Sequence, residues 1–426
     1  MPQPGLRRHL ALSFGPTILA LLTGLVAVPV ILSTLGPAAW AAVAVGQAVG
    51  YFSSQFVGWG WSAVGASAVA ARDPRAQAQY VADSVGPRLW LLGVAFPIGC
   101  AAAYAVAPPG DHVWLCVAQA AALIPGGLNG MFYYTGSSRP DLTILLDAVP
   151  RAAATVIGLA VLVLTKNMFW YIALQFVCDL VLVYFFVHRS ASFGARFDLG
   201  RAHAWRMLRR QHAAVLITTA TNAIGSLPLT IVSAFRLPAI ATYALTDRIR
   251  GYASGALGPL VGTAQGRLHS PDRAVLRQRI RVALRVWSAA AVIVAVGFVF
   301  AASWVGRLLS HNSIAIQPSI AIPFAITLGL VIMTDFIGGA ALLALERVHD
   351  VARSWTFAAV VGLPLVAVGA WTYGTTGAAI GVTGIQAIAT AWQWWRLEAL
   401  LRQEGQQIAP VPTLDQGSGQ LGEPLV

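Results

Sequence analysis

Long apolar segments separated by short polar turns follow one another along most of this chain. Twelve of them have roughly the 17–25 residues that an α-helix needs to cross about 30 Å of hydrocarbon. They lie at about 10–34, 38–64, 88–108, 113–135, 142–164, 168–187, 213–235, 239–265, 285–306, 318–344, 353–374 and 377–399. The pattern predicts an all-α polytopic membrane protein with about twelve transmembrane helices, the second of which continues through residues 64–71.

Composition supports the same class of protein. Hydrophobic residues make up 57% of the chain and charged residues only 10%, whereas a soluble protein has roughly 25% charged residues. A soluble fold of this length could not cover its surface with so few charges. The net charge of +12 therefore indicates basic membrane-flanking loops rather than a nucleic-acid partner.

The distribution of basic residues predicts the orientation. With the N-terminus inside, 22 of the 28 Arg and Lys residues fall in inner segments, three in outer turns and three within spans. Cytoplasmic loops carry an excess of Arg and Lys, so this asymmetry predicts an N-in, C-in topology.

Polar segments divide the chain. The inner loop at about 188–212 is rich in Arg and contains Leu199 and Trp205, which predicts a basic interfacial helix. Ser270-Pro271-Asp272 is a second predicted helix start. The predicted units are an N-terminal six-helix lobe (1–190), a basic cytoplasmic linker (191–212), a C-terminal six-helix lobe (213–402) and a disordered cytoplasmic tail (403–426).

An internal repeat relates the two lobes. Pro37-Ala38 recurs as Pro238-Ala239, and Gly50-Tyr51-Phe52-Ser53 matches Gly251-Tyr252-Ala253-Ser254 at the same offset of 201 residues. Six helices per repeat is an even number, so both repeats enter the membrane in the same direction. The lobes are then expected to be related by an axis along the membrane normal.

The eighth span contains charged residues near the membrane midplane, where such groups are costly and usually functional. Asp247 and Arg250 are three residues apart and can pair on one face. Arg248 lies on another face together with Tyr252, and it either offers a cation to an anionic substrate such as a phosphate or joins an internal ion-pair cluster. In the repeat, Arg248 aligns with Gln47 and Tyr252 with Tyr51, which places these residues on opposing walls if the lobes enclose a cavity.

Three other spans contain buried carboxylates. Asp147 and Arg151 are four residues apart and can pair, and Asp179 of the sixth span could reach Arg151. This group is either a structural ion pair or a proton or cation relay. Asp335 has no obvious local partner, which leaves a coupling-ion site and a helix-to-loop hydrogen bond open. Asn222 is a candidate for a polar path, although interhelical hydrogen bonding would also explain it.

Catalytic motifs are absent from the sequence. There is no Walker A lysine motif, no HExxH, no GxSxG and no paired His/Cys cluster. The three cysteines lie in apolar segments without metal-ligand spacing. We therefore expect no cofactor, no metal and no enzymatic activity, and transport driven by a gradient or by synthesis and removal of the substrate.

Three stretches resemble the polysaccharide flippases, of the O-antigen flippase type, in the multidrug/oligosaccharidyl-lipid/polysaccharide exporter superfamily. The resemblance covers about 10–400 and is carried by Leu35-Gly36-Pro37 with Gly58-Trp59-Gly60-Trp61, by Phe197-Asp198-Leu199 with Ala241-Thr242-Tyr243-Ala244-Leu245, and by Ala341-Leu342-Leu343-Ala344-Leu345 with Tyr373-Gly374-Thr375-Thr376-Gly377-Ala378-Ala379-Ile380-Gly381.

This resemblance implies two six-helix lobes around a central cavity in a bacterial cytoplasmic membrane. The implied function is to flip a polyprenyl-diphosphate-linked oligosaccharide to the outer leaflet by alternating access, with polysaccharide polymerase and glycosyltransferases as partners beside the membrane lipids. The chain departs from the family in two respects. The first two spans have no cavity Arg or Lys, and the two further helices typical of the lipid II flippase branch are missing, which argues against that branch.

Two other functions stay open. A cation-coupled multidrug or small-molecule exporter of the same superfamily would need an essential carboxylate, for which Asp147, Asp179 and Asp335 are candidates. A membrane-embedded glycosyltransferase or polymerase would usually present a sizeable outer loop with catalytic residues. The longest outer turn here, about 307–317, is short, which argues against an enzyme.

Overall fold

The computed structural model describes residues 6–191, 194–268 and 273–406, and this part of the chain is helical and contains no β-strand. The helices are α1 (Leu6–Gly58), α2 (Trp61–Ala70), α3 (Pro74–Val106), α4 (Val113–Leu123), α5 (Met131–Gly136), α6 (Pro140–Thr143), α7 (Val149–Thr165), α8 (Met168–Ala191), α9 (Arg201–Arg210), α10 (His212–Ala234), α11 (Ile240–Leu268), α12 (Arg273–Leu309), α13 (Pro318–Phe336) and α14 (Val348–Gln406).

Eight helical segments within the described residues are long and apolar enough to cross a membrane, and two of them are bent. Helix α1 bends at Gly36, whose φ of 82° only glycine adopts readily, and α14 bends at Tyr373–Gly374. Each therefore forms two arms, and the arms lie at the two pairs of spans that the sequence predicts there. With α10 and α11 at the other two predicted spans, the structure confirms an all-α polytopic membrane protein. The lobe boundaries and the N-in, C-in orientation stay predictions.

Several predicted boundaries differ from the structure. The second span does not continue through residues 64–71: α1 ends at Gly58, Trp59 takes a φ of 49°, and α2 is a separate helix. Helix α3 starts at Pro74, fourteen residues before the predicted span, because Asp73 caps it by accepting hydrogen bonds from two backbone N–H groups. Residues 270–272 and 407–426 lie outside the described residues, and α14 extends three residues past the predicted start of the tail at 403.

The fourth predicted span is interrupted. A 3₁₀ turn, Ile124–Leu128, follows α4, and α5 starts again at Met131. Arg88 of α3 is fully buried there and donates hydrogen bonds to the carbonyl oxygens of Gly127 and Asn129 at 2.5 and 2.7 Å. These bonds satisfy carbonyl groups that a continuous helix would have paired internally. The guanidinium of Arg88 therefore holds this break in the fourth span.

The second arm of α1 packs closely against α4, because both helices present small residues. A Cβ atom on Gly46 would lie 2.3 Å from the carbonyl oxygen of Cys116, and one on Gly50 would lie 2.9 Å from Cβ of Leu123. Close approach through glycine is the usual way in which membrane helices gain van der Waals contact.

Replacing Gly46 with valine is expected to destabilise the protein by about 2 kcal/mol or more, because backbone atoms cannot move aside as a flexible side chain can. Thermal unfolding of the detergent-solubilised protein would measure the effect. The control is Gly93→Val, since a Cβ atom on Gly93 meets nothing within 4 Å. Equal melting temperatures for the two variants would contradict the close packing.

Candidate substrate cavity

A cavity of about 540 Å³ lies between α1, α7, α8 and α11. Along the first arm of α1 its lining extends from Pro16 to Ile31, which is about 22 Å at 1.5 Å per residue. The cavity therefore reaches through much of the hydrocarbon thickness. Its polar lining includes Gln47, Tyr51, Asp147, Arg151, Gln175, Asp179, Arg248 and Tyr252, seven of which were site candidates from the sequence.

Arg248 enters the cavity from α11. Its guanidinium donates a hydrogen bond to Oε1 of Gln47 on the second arm of α1. The rings of Trp40 and Tyr252 also lie close to it, each with its centroid 5.9 Å from the guanidinium carbon. No carboxylate of the described residues lies within ion-pair distance of Arg248. Its charge is held by a neutral amide and two aromatic faces.

The contact between Gln47 and Arg248 joins equivalent positions of the internal repeat, because these residues are 201 apart. Equivalent residues of two symmetry-related units touch each other only near the symmetry axis. The structure therefore brings together the two walls that the repeat predicts, and it places this contact near the axis between them.

Arg151 of α7 also faces the cavity, but its charge is already neutralised. Its Nε lies 3.0 Å from Oδ1 of Asp147, one turn earlier, and its other arm pairs with Oδ1 of Asp179 on α8. Asp179 is only 3% exposed. Asp147 lies in a π-helical turn, Ile144–Ala148, of the kind that is frequent at functional sites. The pairing that the sequence suggested is present, while its role as a relay or a structural group stays a prediction.

Three predicted groups lie away from the cavity lining, namely the ion pair of Asp247 and Arg250, the amide of Asn222 and the carboxylate of Asp335. Arg250 pairs with Asp247 at 2.7 Å, and its guanidinium carbon lies 6.0 Å from the centroid of the Phe324 ring of α13. Asn222 donates to the carbonyl oxygen of Thr218 on its own helix at 2.7 Å. The geometry offers no support for a substrate contact by Arg250 or Asn222 in this conformation.

Asp335 is the third. It does not line the cavity, and its carboxylate forms no hydrogen bond or ion pair with any residue that the structure describes. A helix-to-loop hydrogen bond is therefore not present in the described part of the chain. Within the same residues no group of three or more His, Cys, Asp or Glu side chains could hold a metal ion.

One aromatic residue of the cavity, Trp40, gave no signal in the sequence, whereas Gln175 was a candidate for a polar path. Trp40 is one of fourteen tryptophans and lies in an unbroken apolar segment, and only the fold shows that its ring faces Arg248. Gln175 donates to the hydroxyl of Tyr171 at 2.8 Å and accepts from Nε2 of Gln119 at 3.2 Å. These two hydrogen bonds fix the amide of Gln175 at the cavity lining.

Comparison with known proteins gives a likeness of fold. No protein-family model and no curated protein matches the chain. Among solved structures, the lipid II flippase MurJ in an inward closed conformation gives a TM-score of 0.73 at 12% identity, over 91% of this chain and 86% of that chain. An inward-facing multidrug resistance transporter of the MATE family, in the MOP superfamily, gives a TM-score of 0.53 at 16% identity, over 91% and 96%.

The chain has the MurJ/MATE-like transporter fold. This confirms the fold that the flippase resemblance implied. At identities of 12–16% the likeness concerns the fold and not the substrate. The expectation against the lipid II branch therefore stays a prediction.

Proposed function

We propose that this protein flips a polyprenyl-diphosphate-linked oligosaccharide from the inner to the outer leaflet of a bacterial cytoplasmic membrane by alternating access. The observation that carries the proposal is Arg248, a cation in the cavity that forms no ion pair with any carboxylate in the described part of the chain. An arginine in such a place can form paired, charge-assisted hydrogen bonds to a phosphate. A lipid-linked diphosphate supplies that group.

The rest of the cavity suits the sugar end of such a substrate. Amide and hydroxyl groups of Gln47, Gln175 and Tyr51 offer donors and acceptors, and the rings of Trp40 and Tyr252 offer flat apolar faces. The cavity volume of about 540 Å³ is within the roughly 300–1,000 Å³ of ordinary ligand sites. It fits the diphosphate and the adjoining sugars better than a long chain, so longer oligosaccharides would need the cavity to open.

Alternating access requires contacts between the halves that can break. Near one end of the bundle, the hydroxyl of Ser233 on α10 donates to the carbonyl oxygen of Val106 at 2.5 Å. At the other end, Nε1 of Trp59 donates to the carbonyl oxygen of Leu208 in the linker helix α9 at 3.1 Å, so this contact ties the first half to the linker. Few polar contacts of this kind would need to separate when the halves rock about the contact between Gln47 and Arg248.

A cation-coupled exporter of drugs or other small molecules is the second candidate. The observation in its favour is the group of Asp147, Arg151 and Asp179, which places two carboxylates at the cavity. A carboxylate that exchanges its partner can carry a proton or sodium ion. Catalysis is not proposed for either candidate.

The two candidates are separated by transport in proteoliposomes. We expect protein-dependent flipping of a fluorescent polyprenyl-diphosphate oligosaccharide, and no proton-driven efflux of small organic cations. Efflux of cations together with no flipping of any polyprenyl-linked substrate would overturn the proposal in favour of the exporter. Polysaccharide polymerase and glycosyltransferases would supply and consume the substrate.

A further inference from the structure

Helix α9, which links the two halves, has one basic face. Its sequence alternates so that one side packs on the protein: Ala204 is 4% exposed, and Met207 and Leu208 pack against the buried cluster around Trp61 and Phe132. The other side is exposed and forms the α9 basic face, which consists of Arg201, Ala202, Trp205, Arg206, Arg209 and Arg210. These positions follow the spacing of a single helical face.

The α9 basic face contains no carboxylate. Arg201, Arg206 and Arg210 have no ion pair with any residue that the structure describes, and the guanidinium of Arg209 lies 5.0 Å above the Trp205 ring. The carboxylate nearest in sequence, that of Asp198, accepts a hydrogen bond from the N–H of Gly200 and lies beside His203. The face therefore presents the positive charges of Arg201, Arg206 and Arg210 around an exposed indole.

The position of α9 fits the edge of the hydrocarbon. The carbonyl oxygen of Leu199, just before α9, accepts a hydrogen bond from Nε1 of Trp90 at 3.1 Å. Leu199 is 56% exposed and Trp90 is 49% exposed, and Trp90 lies where the apolar part of α3 begins. Tryptophan is enriched at this level of a membrane, because its ring is apolar while its N–H is polar.

We propose that the α9 basic face binds anionic phospholipid head groups of the cytoplasmic leaflet, with Trp205 inserted between them. The charge is complementary to a surface of lipid phosphates, and the apolar residues Leu199 and Trp205 continue the same surface towards the hydrocarbon. A soluble acidic protein or nucleic acid would not need these apolar groups beside the arginines. Helix α9 joins the halves, and the carbonyl oxygen of its Leu208 accepts the hydrogen bond from Nε1 of Trp59. Lipid bound to the α9 basic face therefore holds the linker in place.

Photo-crosslinking of the full chain in nanodiscs tests this surface without measuring transport. The probes are photoactivatable phosphatidylglycerol and photoactivatable phosphatidylcholine, and labelling is mapped to residues 199–210. We expect at least roughly fivefold more labelling by phosphatidylglycerol, since each arginine near an anionic surface contributes about that factor. The difference should shrink as salt is raised.

Variants locate the effect. Arg201→Gln/Arg206→Gln/Arg210→Gln should reduce labelling to the phosphatidylcholine level, with Arg209 kept because it lies over Trp205. The matched control removes three exposed arginines elsewhere on the predicted inner side: Arg75→Gln/Arg347→Gln/Arg353→Gln. Equal labelling by both lipids in the wild-type chain, an equal loss in the control, or abolition by inorganic phosphate would overturn the proposal. The comparison of the two lipids in the wild-type chain and the competition by inorganic phosphate need no variant.

Discussion

Replacing Arg248 with alanine is expected to lower the rate of polyprenyl-diphosphate flipping by roughly ten- to hundredfold, which corresponds to the free energy of hydrogen bonds to a charged group. Folding should be unaffected, because Arg248 is bound by a neutral amide and two rings and leaves no buried carboxylate behind. The rate in proteoliposomes, corrected for the amount of inserted protein, measures the effect. Arg248→Lys should recover only part of the rate, since an ammonium cannot form the paired contacts of a guanidinium.

The matched control for Arg248 is the neighbouring ion pair. Asp247→Asn/Arg250→Gln removes a cation two residues away, together with its partner, from a site that does not line the cavity. Flipping by this variant should stay close to the wild-type rate. Full activity of Arg248→Ala at normal expression, or an equal loss in the control, would disprove the proposed phosphate contact.

Replacing Arg151 with methionine is expected to destabilise the protein by about 3 kcal/mol, because it leaves the carboxylates of Asp147 and Asp179 without their common partner. Asp179 is the more costly of the two, since almost none of it reaches the cavity surface. Thermal unfolding in detergent would show the loss. The variant that also carries Asp147→Asn and Asp179→Asn should recover most of the stability, because no uncompensated charge remains.

The same triple variant, in which Arg151, Asp147 and Asp179 are all replaced by neutral residues, distinguishes a proton or cation relay from a structural ion-pair group. A proton or cation relay needs the carboxylates, so the folded neutral variant should transport slowly and without dependence on pH or sodium. Transport at the wild-type rate at every pH would show that Asp147, Arg151 and Asp179 only hold α7 and α8 together. In Asp179→Asn alone, Arg151 still pairs with Asp147, so this variant lies between the wild-type chain and the neutral variant.

The sequence by itself determined that this is an all-α membrane protein and where its membrane spans lie along the chain. Apolar length and the scarcity of charge are properties of each segment alone, so twelve spans and the all-α fold could be predicted without knowing any contact. The repeat offset of 201 residues likewise aligned Gln47 with Arg248 and predicted opposing walls for them if the lobes enclose a cavity, whereas their direct contact is known only from the structure. The pairing of Asp147 with Arg151 followed from helical spacing.

Only the tertiary structure decided which charge faces the cavity. Helical spacing places Arg248 and Arg250 on different faces of one helix but does not show which face meets a cavity. In the structure α13 covers the face of Arg250, while the face of Arg248 is left to the cavity. The burial of Arg88 against the interrupted fourth span was equally hidden, because it depends on carbonyl groups about forty residues away. A helix shows which residues share a face, but only packing against distant helices decides whether that face meets protein, lipid or a substrate cavity.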